Sequence, residues 1–336
     1  MKTILTGIRS NSEITLGNYL GALLPMVRLA NKYSKEYNIN IFVPDLHSII
    51  SEVDGNLVAN TIRSLKYYLA SGLELNDNVH IYRQSFVPAH SELCWILDCV
   101  ATMGETSRMI QYKEKSKGQD SCNVGIFNYP ILMAADILLY DAEFIPIGED
   151  QFQHIELTRN LAIRFNNKFG EIFTVPAKTK DQVKFMGSDE GIRVRDLLNP
   201  EKKMSKSTPA ENSKIMMNDA PEKAAKKIMS ATTDSFGKIK FDMWSQPGIS
   251  NLMLIESLVN DVPLAEVCYE WNGGTRYGDL KKKVAGSVSQ LLTDFHAKLE
   301  DVTDEQIFEL LEKGESYANK VANAKLLEAQ KAFGLR

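Results

Sequence analysis

The stretch Pro200-Glu201-Lys202-Lys203-Met204-Ser205-Lys206-Ser207 decides how the rest of the chain is interpreted. It contains a proline, three lysines and two serines, and it shows no apolar periodicity, so it predicts a loop rather than a core element. Lysine places a point charge on a flexible stem and serine donates a hydrogen bond, a combination that suits the binding of a polyphosphate. A lysine-rich loop that only faces solvent is the alternative interpretation, and the wider sequence has to separate the two.

Length and composition are those of an ordinary globular protein. The chain has 336 residues, of which 44% are hydrophobic and 24% charged. This length predicts about two domains at ~100–200 residues each. The net charge of −4 argues against a protein that coats DNA, and we predict no DNA partner. Local basic patches can still bind RNA, in which case the binding is sensitive to salt.

Metal-binding and membrane signals are missing from the sequence. The cysteines form no CxxC pair and the histidines no HExxH motif, so we expect no structural or catalytic transition metal. No apolar run approaches the ~20 residues that a membrane helix needs. The apolar part of the N-terminus is too short for a signal peptide. We therefore predict a cytoplasmic protein without a membrane segment.

The first 208 residues alternate between strand and helix patterns. Short apolar runs predict strands at 4–7, 39–43, 79–83 and 143–147. Helical patterns lie between and after them, at 15–33, 56–69, 89–117, 128–140 and 152–166, while residues 175–200 are predicted to be irregular. This order predicts an α/β fold with a Rossmann-like, doubly wound parallel sheet.

Strand signals vanish after about residue 210. The sequence there predicts helices at 221–231, 250–259, 263–271, 277–299, 303–313 and 315–333. We therefore predict two domains. Residues 1–208 form a Rossmann-type domain with a helical insertion at about 85–140, and residues 209–336 form an all-helical domain that ends in a C-terminal helix.

A candidate phosphate site follows the first strand. Thr15 is a plausible N-cap, and Gly17 and Asn18 stand in the first helical turn, where free N–H groups and the positive end of the helix dipole favour anions. The alternative is that the glycines only permit close packing of the helix on the sheet. The polar run Asp45-Leu46-His47 follows the second strand, at the edge of an α/β sheet where ligands bind.

One carboxylate interrupts a strongly apolar helix. Asp136 lies in the middle of residues 128–140, on one face with Met133 and Tyr129. A buried carboxylate requires a hydrogen-bond donor, and in most proteins that donor is a nearby arginine or a backbone N–H.

Several motifs together resemble the bacterial-type tryptophanyl-tRNA synthetases, which are class I aminoacyl-tRNA synthetases. Residues 15–18 resemble the His-Ile-Gly-His signature, with Asn18 in place of the second histidine, and residues 203–207 resemble the Lys-Met-Ser-Lys-Ser signature. Further matches fall in the family's order at residues 45–47, 133–138, 148–151 and 248–252. The resemblance covers nearly the whole chain.

The resemblance implies the family's reaction and partners. ATP, with Mg²⁺, activates L-tryptophan to tryptophanyl-adenylate with release of diphosphate, and the aminoacyl group passes to the 3′ end of tRNA(Trp). It also implies a homodimer formed through the region around 80–140. The helical domain is expected to bind the anticodon, near Arg276 and residues 281–283.

The resemblance also implies roles for individual residues. Charge neutralisation during the reaction is assigned to Asn18, Lys113, Lys115, Lys203 and Lys206. Contacts to ATP are assigned to Arg9, Ser10, Gly17, Asn18, Gly148, Asp150, Val194, Lys203, Met204, Ser205, Lys206 and Ser207. Contacts to tryptophan are assigned to Leu5, Gly7, His47, Tyr129, Met133, Asp136, Ile137 and Gln151.

Within this set, Asp136 is the residue that indicates tryptophan as the substrate. Indole offers a single N–H donor, and a carboxylate in an apolar helix beside Met133 would accept it. Sites that bind a substrate donor reject analogues that lack it by ~10⁴-fold or more.

Three rival interpretations remain open at this stage. A tyrosyl-tRNA synthetase would need polar partners for a phenol, and a small-molecule nucleotidyltransferase would not need the helical domain. The loop at 9–12 departs from the family, which usually has glutamine in place of Arg9 and Pro-Ser-Gly in place of Ser10-Asn11-Ser12. This departure leaves room for a non-catalytic RNA-binding relative, which ATP binding would distinguish from an enzyme.

Overall fold

A four-stranded parallel sheet lies at the centre of the first half of the chain. A computed structural model describes residues 1–8, 13–50, 56–116, 123–187 and 193–336, with the side chains of 114–116 and 149 outside the description. The strands are β1 (Lys2–Gly7), β2 (Tyr37–Val43), β3 (Val79–Arg83) and β4 (Ala142–Phe144), in the order β3-β2-β1-β4. The predicted α/β fold with a doubly wound, Rossmann-like parallel sheet is confirmed.

The strand register and the alternation of side chains along each strand place a separate apolar layer on each face of the sheet. β1 pairs with β2 from Lys2–Tyr37 to Gly7–Phe42, and β2 pairs with β3 from Ile39–Val79 to Val43–Arg83. Ile39, Ile41 and Val43 enter one buried cluster, whereas Phe42 and its neighbour Leu5 on β1 enter the other. Because successive side chains alternate between faces, both layers are filled by the same short strands.

Helices cover both faces. Between β1 and β2, the helical stretch consists of α1 (Leu16–Asn18), a π-helical turn (Tyr19–Leu23) and α2 (Leu24–Tyr33). The others in the first half are α3 (Asp45–Ser48), α4 (Leu57–Ala70), α5 (Ala89–Asp98), α6 (Met103–Ser107), α7 (Ile110–Ser116), α8 (Val124–Leu138), α9 (Phe152–Phe169) and α10 (Thr179–Met186). The second half contains α11 (Pro221–Met229), α12 (Pro247–Asn260), α13 (Leu264–Trp271), α14 (Tyr277–Glu300) and α15 (Asp304–Phe333).

Three of the sequence-based element predictions are wrong. The single helix predicted at 89–117 is three helices, α5 to α7. The irregular stretch predicted at 175–200 contains α10. There the Gln182 side chain accepts from the Ile145 N–H at 2.9 Å and donates to the Glu143 carbonyl at 3.0 Å, so an amide side chain continues the pairing beside β4.

The third wrong prediction is a break near residue 314. α15 is one continuous helix that crosses the edge strand β3, and a Cβ on Gly314 would lie 1.8 Å from the Ile81 carbonyl oxygen. The glycine therefore permits close approach of two backbones rather than ending a helix. Beside it, the Arg83 guanidinium pairs with the Glu315 carboxylate at 2.5 and 3.1 Å, which fixes the crossing point.

The buried core continues from the sheet into the C-terminal helices. Ile307 and Leu311 on α15 belong to the same cluster as Ile41, whereas Ala318 and Ala322, further along the helix, belong to the cluster of Leu5. The helix thus seals both apolar layers at the β3 edge. Within the described ranges, no helix combines the length and apolar character that crossing a membrane requires.

Candidate active site

Polar side chains gather where the parallel strands end. His47 lies in α3, just after β2, and Gln84 directly follows β3. Asp45 joins these two strand ends, because its carboxylate accepts from the Ser85 N–H at 2.8 Å and also from the Ser85 hydroxyl. Since β1 to β3 run in the same direction, these groups meet at one edge of the sheet, which is where α/β folds bind ligands.

Asp136 of α8 lies at this edge and is only 1% exposed. Its Oδ1 accepts from Gln84 Nε2 at 2.7 Å and from His90 Nδ1 at 2.6 Å. Its Oδ2 is 2.9 Å from His47 Nε2. The usual partners of a buried carboxylate are an arginine or a backbone N–H. The partners of Asp136 in the structure are instead two histidines and one side-chain amide.

This set of donors keeps the carboxylate ionised. Burial alone would raise the pKa of Asp136, but the hydrogen bonds from His47 and His90 outweigh it and lower the pKa to about 2. An ionised carboxylate offers about four lone-pair positions, two on each oxygen. Oδ1 already accepts two hydrogen bonds and Oδ2 one, so Oδ2 retains one position beside the partly exposed His47.

Tyr129 lies one turn before Met133 on the same helix face as Asp136. Its hydroxyl donates to Gln111 Oε1 at 2.7 Å, lies 3.0 Å from His154 Nε2, and its ring meets His47 edge to face at 6.1 Å. The contact with Gln111 brings the start of α7 into the site.

The Asp150–Gln151 turn stands at the same end of the site. Gln151 Nε2 donates to Asp150 Oδ2 at 2.6 Å, and the Gln111 amide lies 3.5 Å from the Asp150 carbonyl and carboxylate. At Gly148, an added Cβ would lie 2.7 Å from Asp150 Oδ1, so the turn is tight. Tyr129 and Gln151, two of the residues predicted to bind tryptophan, are therefore brought close together through Gln111.

The apolar residues assigned to the substrate pocket occupy the layer beneath Asp136. Leu5 and Ile137 are each 1% exposed and belong to one cluster, against which Met133 packs while partly exposed. Gly7 ends β1 at the same edge of the sheet. These positions form an apolar base next to the buried, ionised Asp136.

The lysine loop (residues 203–207) begins as the second arm of a short hairpin. Arg195 and Lys203 form an antiparallel bridge, and the Met204 N–H donates to the Val194 carbonyl at 3.1 Å. A Cβ on Gly17 would lie 3.3 Å from Met204 Cβ and 3.4 Å from Val194 Cβ. The structure thus brings the first helical turn and the lysine loop into contact. This close packing leaves little room for a side chain at Gly17.

Side chains of the hairpin divide by role. Val194 and Met204 are each 1% exposed, so their side chains belong to the hydrophobic core. Lys203 and Lys206 are exposed, and the Ser205 and Ser207 hydroxyls are 3.0 Å apart.

Nearby groups hold the loop and the first turn in place. The ammonium of Lys214 is bonded to the Lys206 carbonyl at 2.6 Å and to the Thr208 carbonyl. Thr15 caps the first turn: its Oγ1 accepts from the Asn18 N–H at 3.2 Å and donates to Asn18 Oδ1 at 2.8 Å. The Nδ2 donors of Asn18 are therefore the atoms that can meet an anion.

The Asn251 side chain of α12 binds the backbone of the first arm of the hairpin, at Arg195. Asn251 Oδ1 accepts from the Arg195 N–H at 2.7 Å and its Nδ2 donates to the Arg195 carbonyl at 3.0 Å. Gly248, one turn earlier, leaves room for the Thr232 carbonyl, which would lie 2.2 Å from an added Cβ. The motif at 248–252 is thereby explained: it attaches the C-terminal helices to the backbone that carries Lys203.

Some predicted residues lie outside the described part of the chain, namely Arg9, Ser10 and the side chain of Lys115. Lys113 is exposed on α7, two residues beyond Gln111. Sequence reasoning missed Gln84, His90, Gln111 and His154. Gln84 follows a strand just as residues 45–47 do, and the same rule would have found it. His90 had no such signal, because a histidine among Ala89, Leu93 and Leu97 resembles an ordinary core residue.

Comparison with known proteins agrees with this geometry. Residues 1–293 match the model of the family described as tRNA synthetases class I (W and Y). The chain is 42% identical over 336 residues to a tryptophan–tRNA ligase of Caldanaerobacter subterraneus, covering 100% of this chain and 99% of the relative. It is 40% identical to that of Bacillus subtilis over 338 residues, covering 99% and 98%.

Solved structures give the same result. The tryptophanyl-tRNA synthetase of Mycoplasma pneumoniae superposes with a TM-score of 0.80 at 33% identity, over 100% of this chain and 98% of that one. The Campylobacter jejuni enzyme complexed with ADP and tryptophan superposes with a TM-score of 0.78 at 29% identity, over 99% and 100%. With a buried ionised acceptor at the strand ends and a lysine loop packed on the first helical turn, the chain belongs to the class I tRNA synthetases for tryptophan and tyrosine, in the bacterial tryptophanyl group.

Proposed function

We propose that Asp136 selects the substrate of this tryptophan–tRNA ligase by accepting the indole N–H at Oδ2. The observation that carries the proposal is the carboxylate itself, which is buried, ionised and supplied with three donors, yet retains one lone-pair position. The enzyme activates L-tryptophan with ATP, releases diphosphate and transfers the aminoacyl group to tRNA(Trp).

Selection follows from the mismatch of other side chains. Phenylalanine brings no donor and would leave Oδ2 desolvated and unpaired, at a cost of ~1–3 kcal/mol or more for a charged group. A tyrosine hydroxyl lies at the end of its ring, where it cannot replace an N–H on the edge of a bicyclic ring. The apolar base of Leu5, Ile137 and Met133 suits the face of an indole.

The amino acid's polar end would meet the Tyr129–Gln111–Asp150 group. These three residues already form a connected set, with Gln151 bonded to Asp150. Asp150 can attract the α-ammonium and the amide N–H groups can hold the α-carboxylate. That placement would aim the carboxylate toward the nucleotide side, where it attacks the α-phosphate.

Positioning and charge neutralisation would supply the catalysis of the phosphoryl step. Lys203 and Lys206 would stabilise the charge that develops on the departing diphosphate, with Lys113 or Lys115 assisting. Asn18 Nδ2 would hold phosphate oxygens, because the Leu16 N–H already donates to the Ile215 carbonyl and the Asn18 N–H to Thr15 Oγ1. The loop can close over ATP when these contacts form.

Mg²⁺ is expected to arrive on the nucleotide. The exposed groups of the lysine loop are ammonium and hydroxyl groups, which fit phosphate oxygens rather than a bare cation. When bound, Mg²⁺ would neutralise phosphate charge, and it ordinarily takes most of its oxygens from phosphate and water in such sites.

Quaternary structure and RNA binding extend the proposal. Trp95, Met103 and Val124 expose 70%, 74% and 79% of their surface on α5, α6 and the start of α8. We propose that this apolar set is buried in a homodimer, in a cytoplasmic enzyme. Val124→Asp would then shift the molar mass measured by light scattering from dimer to monomer, whereas Val58→Asp, at another exposed valine, would not.

The anticodon is expected to bind the C-terminal helices. Lys281 is a poor candidate for a contact, because its ammonium already donates to the Ala231 carbonyl at 2.7 Å. Lys283 lies 4.0 Å from Glu256, and Arg276 pairs with Asp279 at 2.9 Å. Lys282 and Arg276 are both exposed, and the Arg276–Asp279 pair lies on the surface, so both side chains can reach RNA. Charge reversal of these two residues would weaken tRNA binding, and unchanged binding would remove this assignment.

ATP–pyrophosphate exchange with each of the twenty amino acids tests the proposed function. Exchange with tryptophan alone is expected. Exchange with tyrosine would keep the chemistry and overturn the role of Asp136, and no exchange with any amino acid would indicate a non-catalytic relative.

A further inference from the structure

We propose that His90, supported by Tyr140, is the residue that positions Asp136 and thereby sets the selectivity for indole over ring systems without an N–H. His90 is fully buried on α5 and does not line the apolar base of the pocket. It contacts Asp136 on one side and Tyr140 on the other, so it acts on the substrate only through the carboxylate.

Both ring nitrogens of His90 take part in hydrogen bonds. Asp136 is ionised and can only accept, so the 2.6 Å contact requires a proton on His90 Nδ1. On the other side of the ring, Nε2 lies 2.9 Å from the Tyr140 hydroxyl, so both ring nitrogens are held by a hydrogen bond. The result is a chain of hydrogen bonds that links Tyr140, His90 and Asp136 Oδ1.

Ring packing leaves His90 one orientation. Its imidazole stacks on Phe42 with centroids 6.4 Å apart and is tilted against Tyr82 and Tyr140 at 6.3 and 5.5 Å. His90 lies on α5 and Asp136 on α8. The packed imidazole ring therefore fixes the orientation of the Asp136 carboxylate through the hydrogen bond between them. Gln84, which is also fully buried, fills the second position on Oδ1.

Selectivity follows from how the two oxygens are used. His90 and Gln84 together occupy both lone-pair positions of Oδ1, so Oδ2 is the oxygen that remains for a substrate donor. Without His90, Oδ1 would regain an open position, the carboxylate could rotate, and its ionised form would lose a charge-assisted hydrogen bond. An indole N–H would then meet a less defined acceptor, whereas a ring without a donor would be unaffected.

The experiment measures kcat/KM in ATP–pyrophosphate exchange for tryptophan and for 3-(3-benzothienyl)alanine, in which sulfur replaces the indole N–H. Their ratio is the selectivity. This inference rests on the proposed role of Asp136, for which the unmodified enzyme is the check: a ratio near one there would overturn both. In His90→Leu we expect the ratio to fall by ~10-fold or more, through loss of activity with tryptophan alone.

Matched variants separate positioning from packing. His90→Asn keeps a donor near the Nδ1 position and should retain most of the selectivity. His80→Leu is the control, because that histidine lies on β3 and stacks on Tyr317. Tyr140→Phe preserves the ring and removes only the hydroxyl; we expect it to lower the ratio by ~3-fold, and it serves if His90→Leu does not fold.

Two results would overturn the role of His90. One is an equal loss of activity with both substrates in His90→Leu, which would mean that the histidine only supports the fold. The other is an unchanged ratio in His90→Leu and Tyr140→Phe while the unmodified enzyme discriminates.

Discussion

Replacing Asp136 by asparagine changes the acceptor while keeping its shape. The carboxylate accepts from Gln84, His90 and His47, and every one of these contacts requires an oxygen. Asparagine has one oxygen. If that oxygen faces Gln84 and His90, its NH₂ group points at His47 and at the proposed position of the indole N–H, so two donors oppose each other. His47 can respond by changing tautomer, but the indole cannot.

The size of the effect follows from the lost contact. A hydrogen bond to a charged group contributes ~1.5–3 kcal/mol. Since each 1.36 kcal/mol is tenfold in rate, Asp136→Asn should lower kcat/KM for tryptophan by about 10- to 150-fold. If the asparagine amide is flipped, its oxygen faces the indole and its NH₂ group faces the donors of Gln84 and His90. The unfavourable contact then lowers the stability of the folded protein, and the side chain is held less firmly.

Steady-state ATP–pyrophosphate exchange over a range of tryptophan concentrations measures this loss. The KM for ATP should change little, because Asp136 is on the amino-acid side of the site. A fall of less than about 3-fold with tryptophan would refute the assignment, since it is smaller than the weakest charged hydrogen bond allows.

Four further predictions concern other parts of the molecule. Lys206→Ala should lower kcat for activation by ~10²-fold with little change in the Kd for tryptophan, and the opposite pattern in single-turnover kinetics would exclude a transition-state role. Asn251→Ala should raise the KM for ATP and lower kcat by ~10-fold through the hairpin that carries the lysine loop, and an unchanged KM for ATP would contradict this. Gly314→Ala should lower the free energy of unfolding by more than ~2 kcal/mol in urea titrations, because its Cβ would meet a backbone carbonyl at 1.8 Å, whereas Gly286→Ala, with no atom within 4 Å of the Cβ, should be neutral or stabilising. The pKa of Asp136 in the folded chain, about 2, lies below its ordinary value of 3.8. The ionised carboxylate therefore contributes ~2 kcal/mol to the free energy of unfolding above about pH 4, and this contribution is lost as the pH falls toward 2. Because Asp136→Asn lacks this group, the variant should lose less stability than the unmodified protein over that interval.

Local spacing was enough to predict the helix face of the site. Tyr129 precedes Met133 by four residues and Met133 precedes Asp136 by three, and a helix places residues at this spacing on one face whatever surrounds it. The donors of Asp136 could not be obtained in this way. His90 and Gln84 are 46 and 52 residues away in the chain, and only the packing of α5 and the end of β3 against α8 brings them to the carboxylate.

The errors in the predicted elements have a common cause. Gly314 looked like a helix end because glycine disfavours helices locally, yet the close crossing of α15 over β3 outweighs that preference. α10 was missed because its helix signal is short, and what holds it is tertiary contact: Gln182 bonds to the backbone beside β4, and Phe185 stacks on Phe144 at 4.0 Å. In both places the deciding contact is distant in sequence.

Side-chain amides also replace strand partners at two positions of the fold. Gln182 does so beside β4 and Asn251 does so beside Arg195. A sequence gives no sign of this role, since an asparagine or glutamine on a helix is usually a surface residue. The family resemblance identified the motif at 248–252, and its physical purpose became visible only in the three-dimensional arrangement.

The most direct measurement is a crystal structure of the protein with bound L-tryptophan. We predict that the indole nitrogen lies within hydrogen-bond distance of Asp136 Oδ2, at ~2.7–3.2 Å, while Oδ1 keeps its contacts with His90 and Gln84. An indole nitrogen bonded to another residue or to water, with Asp136 Oδ2 beyond reach, would contradict it.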